Sequence, residues 1–135
     1  MACPYFYPVS RLEEAWAVPP RLPLGDAYSG ECRAGTSPMQ PQDTVMRGCC
    51  NSGYARGSCD VFPNDSRADA VRFTVASDLK HEIRVQYIFE NACWPLEHGE
   101  LLYSAADDSF APLPLDEIAA RQAAVFMQSY LRRTR

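Results

Sequence analysis

Residues 70–90 read AVRFTVASDLKHEIRVQYIFE. Val71, Phe73 and Val75 alternate with Arg72 and Thr74, and Ile83, Val85, Tyr87 and Phe89 alternate with Arg84, Gln86 and Ile88. Successive side chains of a strand point to opposite faces, so a period of two built from branched and aromatic residues marks a half-buried strand. The spacing predicts strands over Ala70–Ser77 and Glu82–Glu90. Asp78-Leu79-Lys80-His81 between them has hairpin length. A third short strand is expected at Glu100–Ser104, after a turn around Pro95 and Gly99. The stretch is therefore an antiparallel meander of about three strands, with one core face and one polar face.

Beyond the meander the period changes. Leu115, Ala119, Ala123, Phe126 and Tyr130 recur at helical spacing, flanked by Ile118, Met127 and Leu131. Pro112 and Pro114 stand just ahead, where a helix tolerates proline. Asp116 and Glu117 fall in the first turn and Arg132, Arg133 and Arg135 at the end, so both termini suit the helix dipole. A three-stranded sheet alone is marginally stable. This C-terminal helix is expected to cover its apolar face, which makes the fold class α+β.

The first half has another character. Residues 1–66 hold eight of the eleven prolines and six of the seven glycines, too much punctuation for a long helix or strand. One helical turn is expected at Arg11–Trp16. The segment is nevertheless rich in aromatics, with Tyr5, Phe6, Tyr7, Trp16, Tyr28, Tyr54 and Phe62. Disordered chains are poor in aromatics, so an ordered but irregular wrap is expected. At 135 residues the chain reads as a single domain. Residues 1–66 would form a cysteine-rich metal-binding wrap, and residues 67–135 the meander plus helix.

Five of the six cysteines lie in this first half: Cys3, Cys32, Cys49, Cys50 and Cys59, with Cys93 further on. Structural zinc favours short C-x(2–4)-C knuckles, and the chain has none. His81 and His98 have no partner at ligand spacing. Iron–sulfur clusters need four thiolates, and a loop-rich segment can bring them from wider spacings. Cys3 is followed by Pro4, as the last ligand of bacterial ferredoxin runs is. Gly48, Gly53 and Gly57 surround Cys49, Cys50 and Cys59, where glycine lets backbone N–H groups turn toward sulfur. Tyr5, Phe6, Tyr54 and Phe62 are placed to exclude water. The spacing thus permits a [4Fe-4S] cluster on Cys3, Cys32, Cys50 and Cys59, with Cys49 as alternate to Cys50. Zinc, disulfides and unligated thiols stay open, and Cys93, directly after the second strand, reads as a small buried hydrophobe.

The blocks Cys3-Pro-Tyr-Phe, Pro23-Leu-Gly-Asp-Ala-Tyr-Ser-Gly-Glu-Cys32 and Cys50-Asn-Ser-Gly-Tyr-Ala-Arg-Gly-Ser-Cys59 resemble those of small bacterial cysteine-rich proteins of no established activity. The resemblance covers roughly the first half and implies no catalytic residue. It favours Cys50 over Cys49, because Cys50 carries the Asn-x-Gly-Tyr-Ala-Arg-Gly spacing.

Other chemistry reads weakly. Glu97-His98-Gly99 has no nucleophile paired with it in sequence, and His81 falls in a hairpin loop. Glu13-Glu14 and Asp107-Asp108 read as solvated faces. Tyr54-Ala-Arg-Gly with Arg47 and Arg67 mixes aromatics and charge as single-strand binders do. The net charge of −4, however, gives no global attraction to nucleic acid or an anionic membrane. Nothing approaches the roughly 18 apolar residues of a membrane span. The opening Met-Ala-Cys-Pro-Tyr-Phe-Tyr-Pro has no charged region followed by an apolar run. A cytoplasmic location is expected, where thiols stay reduced. The expected function is an iron–sulfur protein, acting in electron transfer or as an accessory protein with a protein partner. The alternative is a non-catalytic interaction module held by zinc or disulfides.

Overall fold

The computed structural model describes residues 2–12, 22–111 and 113–135. In chain order the elements are β1 (Phe6–Arg11), β2 (Tyr28–Cys32), α1 (Asp43–Val45) running into a π-helical turn (Met46–Cys50), β3 (Ala70–Asp78), β4 (Glu82–Asn91), β5 (Trp94–Ser104), β6 (Ser109–Phe110) and α2 (Glu117–Thr134). The fold is α+β, with two antiparallel sheets and a C-terminal helix. The helical turn expected at Arg11–Trp16 lies largely outside the described residues; Arg11 itself closes β1.

The meander runs β3-β4-β5-β6 and so has four strands, against about three expected. β6 pairs only Tyr103 with Phe110 and Ser104 with Ser109, and two residues are too short to show a period. β5 begins at Trp94, six residues before the expected start. Pro95 and Gly99 lie inside it, although both residue types argue against a strand interior. Gly99 has a packing reason. It faces Tyr87 across the ladder, and a Cβ there would stand 2.5 Å from the Tyr87 hydroxyl. The alternation holds on the core face, where Val71, Phe73, Ile83, Val85, Tyr87, Leu101 and Tyr103 are buried.

The N-terminal half is less irregular than its composition suggests. β1 and β2 form a second sheet, with Phe6 opposite Cys32 and Pro8 opposite Gly30. Gly30 is required there, since a Cβ would meet the Tyr7 carbonyl oxygen at 2.1 Å. Ala2 adds a bridge to Val71, which ties the start of the chain to the edge of the meander.

α2 lies between the two sheets. Asp116 caps it, its carboxylate accepting the Ala119 N–H at 2.7 Å. On one side Phe126 stacks on Phe73 of β3, centroids 5.7 Å apart. On the other, Arg121 donates to the carbonyls of Pro8 (2.8 Å) and Val9 (3.0 Å), and the Tyr28 hydroxyl donates to the Val125 carbonyl at 3.0 Å and meets the Ser129 hydroxyl. The basic end of the helix is not an open patch. Arg132 and Arg133 pair with Asp26, and Arg135 pairs with Asp78. One contiguous core runs from Ala2, Phe6, Leu24 and Tyr28 through the meander to Ala123, Val125 and Met127.

Candidate metal centre

Four separate pieces of chain carry cysteines to one place, and each is fixed through its backbone. The Cys3 N–H donates to the Cys50 carbonyl at 3.0 Å, and the Cys3 carbonyl accepts from the Phe6 N–H (3.1 Å) and from the Gln122 amide (2.8 Å). Cys32 ends β2, and its N–H and carbonyl exchange hydrogen bonds with Met39 at 2.8 and 3.0 Å. Cys49 and Cys50 close the π-helical turn, a form concentrated at functional sites. Cys59 is turned inward by its N–H bond to the Ala55 carbonyl at 2.8 Å. Left-handed backbone at Gly53 and Gly57 makes the intervening turns, as their glycines allow.

Asn51 holds the π-helical turn against β2. Its side-chain oxygen accepts the Tyr28 N–H, and its nitrogen donates to the carbonyls of Tyr28 and Met46, all at 3.0 Å. It copies a strand's pairing with β2 at the residue after Cys50. Sequence reasoning missed it, although it stands inside the Cys50–Cys59 block. Gln122 was missed too, because a glutamine on a helix reads as outward-facing, yet it is fully buried.

The five thiols line one small, partly enclosed cavity of about 20 Å³, room for about one water. Its other walls are Tyr5, Phe6, Ala34, Met39, Pro41, Val45, Ala55, Val61 and Phe62, so no charged residue and no histidine contributes. Tyr5 and Phe62 meet edge to face with centroids 5.6 Å apart. Met39 and Val61, each 45% exposed, stand at its outer side.

Burial pushes the Cys3 thiol up to about 12; the Tyr5 N–H works against this, and the charges of Cys32, Cys59 and Cys49 add to it in that order. Burial likewise raises Cys50, and Cys3, Cys32, Cys59 and Cys49 raise it further, in decreasing strength. Cys49 is raised by burial and then by Cys59. Cys49 comes last among the thiols acting on both Cys3 and Cys50.

Three expectations need correction. Cys93 is exposed, not buried. It occupies the β4–β5 turn with φ 70°, where Ala92 and Cys93 are both left-handed and the side chain leaves the core face. Tyr54 does not wall the cavity. Its hydroxyl is drawn 2.6 Å from the carboxylate of buried Glu90, and burial followed by this bond holds its pKa well above normal. Gly48 lies inside the π-helical turn and is not left-handed; a Cβ there would meet nothing within 4 Å.

The remaining motifs are structural or exposed. Arg56 donates to the carbonyls of Asn64 (2.9 Å) and Ser66 (2.6 Å) and to the Asn91 side chain (3.1 Å), so it staples its loop to the β4–β5 turn. His81 and His98 are exposed, His98 on the outer face of β5. Glu13 and Glu14 lie outside the described residues.

Among the described residues no three His, Cys, Asp or Glu side chains stand close enough to hold one metal ion between them; the thiols ring a shared space. The chemistry of the donor set suits a soft metal centre. Thiolates without carboxylate or imidazole select zinc, copper(I) or iron–sulfur clusters. Thiols kept protonated by burial become ligands when a cation displaces their protons. Among the described residues no helix is long and apolar enough to cross a membrane. The chain matches no known protein family, no curated protein and no solved structure.

Proposed function

We propose that this protein binds an iron–sulfur cluster of the [4Fe-4S] type, held by Cys3, Cys32, Cys50 and Cys59, with Cys49 as the alternate to Cys50. The observation that carries this reading is the convergence of thiols from four stretches of chain on one apolar cavity with no hard ligand in its wall. When bound, the cluster would supply one-electron transfer, or a structural tie in an accessory protein. The chain's own residues do the rest. The Tyr5 N–H near the Cys3 sulfur favours its thiolate, and Tyr5, Phe6 and Phe62 keep water away. Exclusion of water and N–H bonds to sulfur are what tune such a centre's potential. No side-chain acid or base is required. A reducing cytoplasm would keep the thiols free for iron.

The test is iron and sulfide analysis with a visible spectrum on protein purified without oxygen. About four irons and four sulfides per chain are expected. Alanine at Cys3, Cys32, Cys50 or Cys59 should abolish the chromophore, while Cys93→Ala keeps it. Colourless, iron-free protein would end the reading.

A second reading is an interaction module stabilised by zinc or disulfides. It is favoured by Trp94, 76% exposed at the start of β5, since tryptophan is among the residues that anchor interfaces. One zinc per chain, without iron or sulfide, would select it.

A further inference from the structure

A cubane cluster uses four thiolates, and the cavity has five. Cys49 is the one left over, and its surroundings give it a partner. The Cys49 carbonyl accepts the Gly53 N–H at 2.8 Å, and the Cys59 N–H is bound to the Ala55 carbonyl at 2.8 Å, so two consecutive turns fold Cys59 back toward Cys49. Both residues belong to one loop, whereas Cys3 precedes β1 and Cys32 ends β2. Both line the same cavity, and Cys59 is the thiol whose charge acts on Cys49. Cys59 is half-buried and the most open of the five.

We propose that Cys49 is an oxidation site of this centre: in the cluster-free chain, peroxide closes a disulfide between Cys49 and Cys59. The inference rests on the cysteine-site reading above but needs only the thiols, not the metal. In the first step a Cys59 thiolate attacks hydrogen peroxide. An S–O bond forms, the O–O bond breaks, and the departing hydroxide takes a proton to become water. In the second, the Cys49 thiol attacks that sulfur. The S–S bond forms, the S–O bond breaks, and a second water leaves. Two thiols lose two protons and two electrons, and one peroxide becomes two waters. Closing a short loop costs little chain entropy. Cys3, Cys32 and Cys50 remain thiols, so reduction by a dithiol restores the full set.

The experiment uses the full chain carrying Cys93→Ala, which removes the exposed thiol that would cross-link molecules. Iron is removed without oxygen by bipyridyl and EDTA in the presence of dithiothreitol, and chelators and reductant are then desalted away; if the protein is isolated without metal, it is reduced and desalted in the same way. One equivalent of hydrogen peroxide is added, free thiols are blocked with N-ethylmaleimide, and tryptic peptides are mapped by mass spectrometry. Cleavage after Arg47, Arg56 and Arg67 puts Cys49 and Cys50 on residues 48–56 and Cys59 on residues 57–67. A dominant link between these two peptides is expected. It should persist in Cys50→Ala and vanish in Cys49→Ala. A link undiminished in Cys49→Ala, links dominated by the peptides of Cys3 or Cys32, or no loss of thiols would each overturn the proposal. Iron and sulfide analysis decides the cluster reading separately, because the peptide map is made on metal-free chain.

Discussion

Gln122, in the second turn of the C-terminal helix, donates its side-chain amide to the carbonyl oxygen of Cys3 at 2.8 Å, and the same nitrogen donates to the Phe6 carbonyl at 2.7 Å. Its own oxygen finds no partner among the described residues. A group wedged by its two donors alone is specific to an amide. Gln122→Met, nearly isosteric, should cost about 2 kcal/mol, the worth of two buried hydrogen bonds. Gln122→Glu should cost more, because it sets a carboxylate against two carbonyl oxygens. Urea denaturation of the three proteins checks the order, and equal stability of Gln122→Glu and the parent would contradict it.

Gly30 faces Pro8 across the small sheet with the Tyr7 carbonyl where a Cβ would go. The obstacle is backbone, so no side-chain rotation relieves it. Gly30→Ala should destabilise the fold by about 3 kcal/mol and displace Cys32 two residues on. The expected outcome is a lower thermal midpoint and faster alkylation of Cys32 than in the parent.

The thiols should show their burial directly. In metal-free protein at pH 8, iodoacetamide should modify the exposed Cys93 first and Cys3 and Cys50 last, since it is the thiolate that reacts. Urea should remove the difference. A buried thiol raised from an ordinary value of about 8.5 favours folding below that pH and loses the benefit as pH rises toward about 12. Metal-free protein should therefore weaken between pH 8.5 and 11, and the decline should be shallower in the Cys3→Ala, Cys50→Ala double variant.

Acid should act through Asp78. Hydrogen bonds from Arg135, the Lys80 N–H and Tyr130 hold its carboxyl well below the usual range. A depressed carboxyl favours folding above its unfolded value of about 3.9, and that contribution is lost as pH falls below it. Asp78→Asn should lower the thermal midpoint at pH 7, by a gap that begins to narrow below about pH 4, is still largely open at about pH 3 and closes only in stronger acid. A constant gap across that range would sink the assignment.

The meander and the helix were legible because burial on one face forces a period, and periods survive in Val71–Val75, Ile83–Phe89 and Leu115–Tyr130. β1 and β2 were not. Their pairing joins Phe6 to Cys32 across a long connection, and Pro8 and Gly30 are depleted in strands. The gathering of Cys3, Cys32, Cys50 and Cys59 beside Cys49 could be anticipated from residue type. The supports could not. Asn51 and Gln122 are polar residues whose burial depends on partners distant in sequence, and pattern alone assigns them to solvent. Cys93 misled for the opposite reason, since a small apolar residue beside a strand gave no sign of the left-handed turn that turns it outward.

The wedge of α2 between the sheets sets an order in time. On a ribosome Cys3 is made 119 residues before Gln122, which seats it. The thiols are thus complete as a set long before they are complete as a site. A nascent chain stalled before residue 117 holds all six cysteines and lacks the element that orders the first of them. The seating of Cys3 therefore waits for α2 to be made, although its thiol is the earliest of the set in chain order.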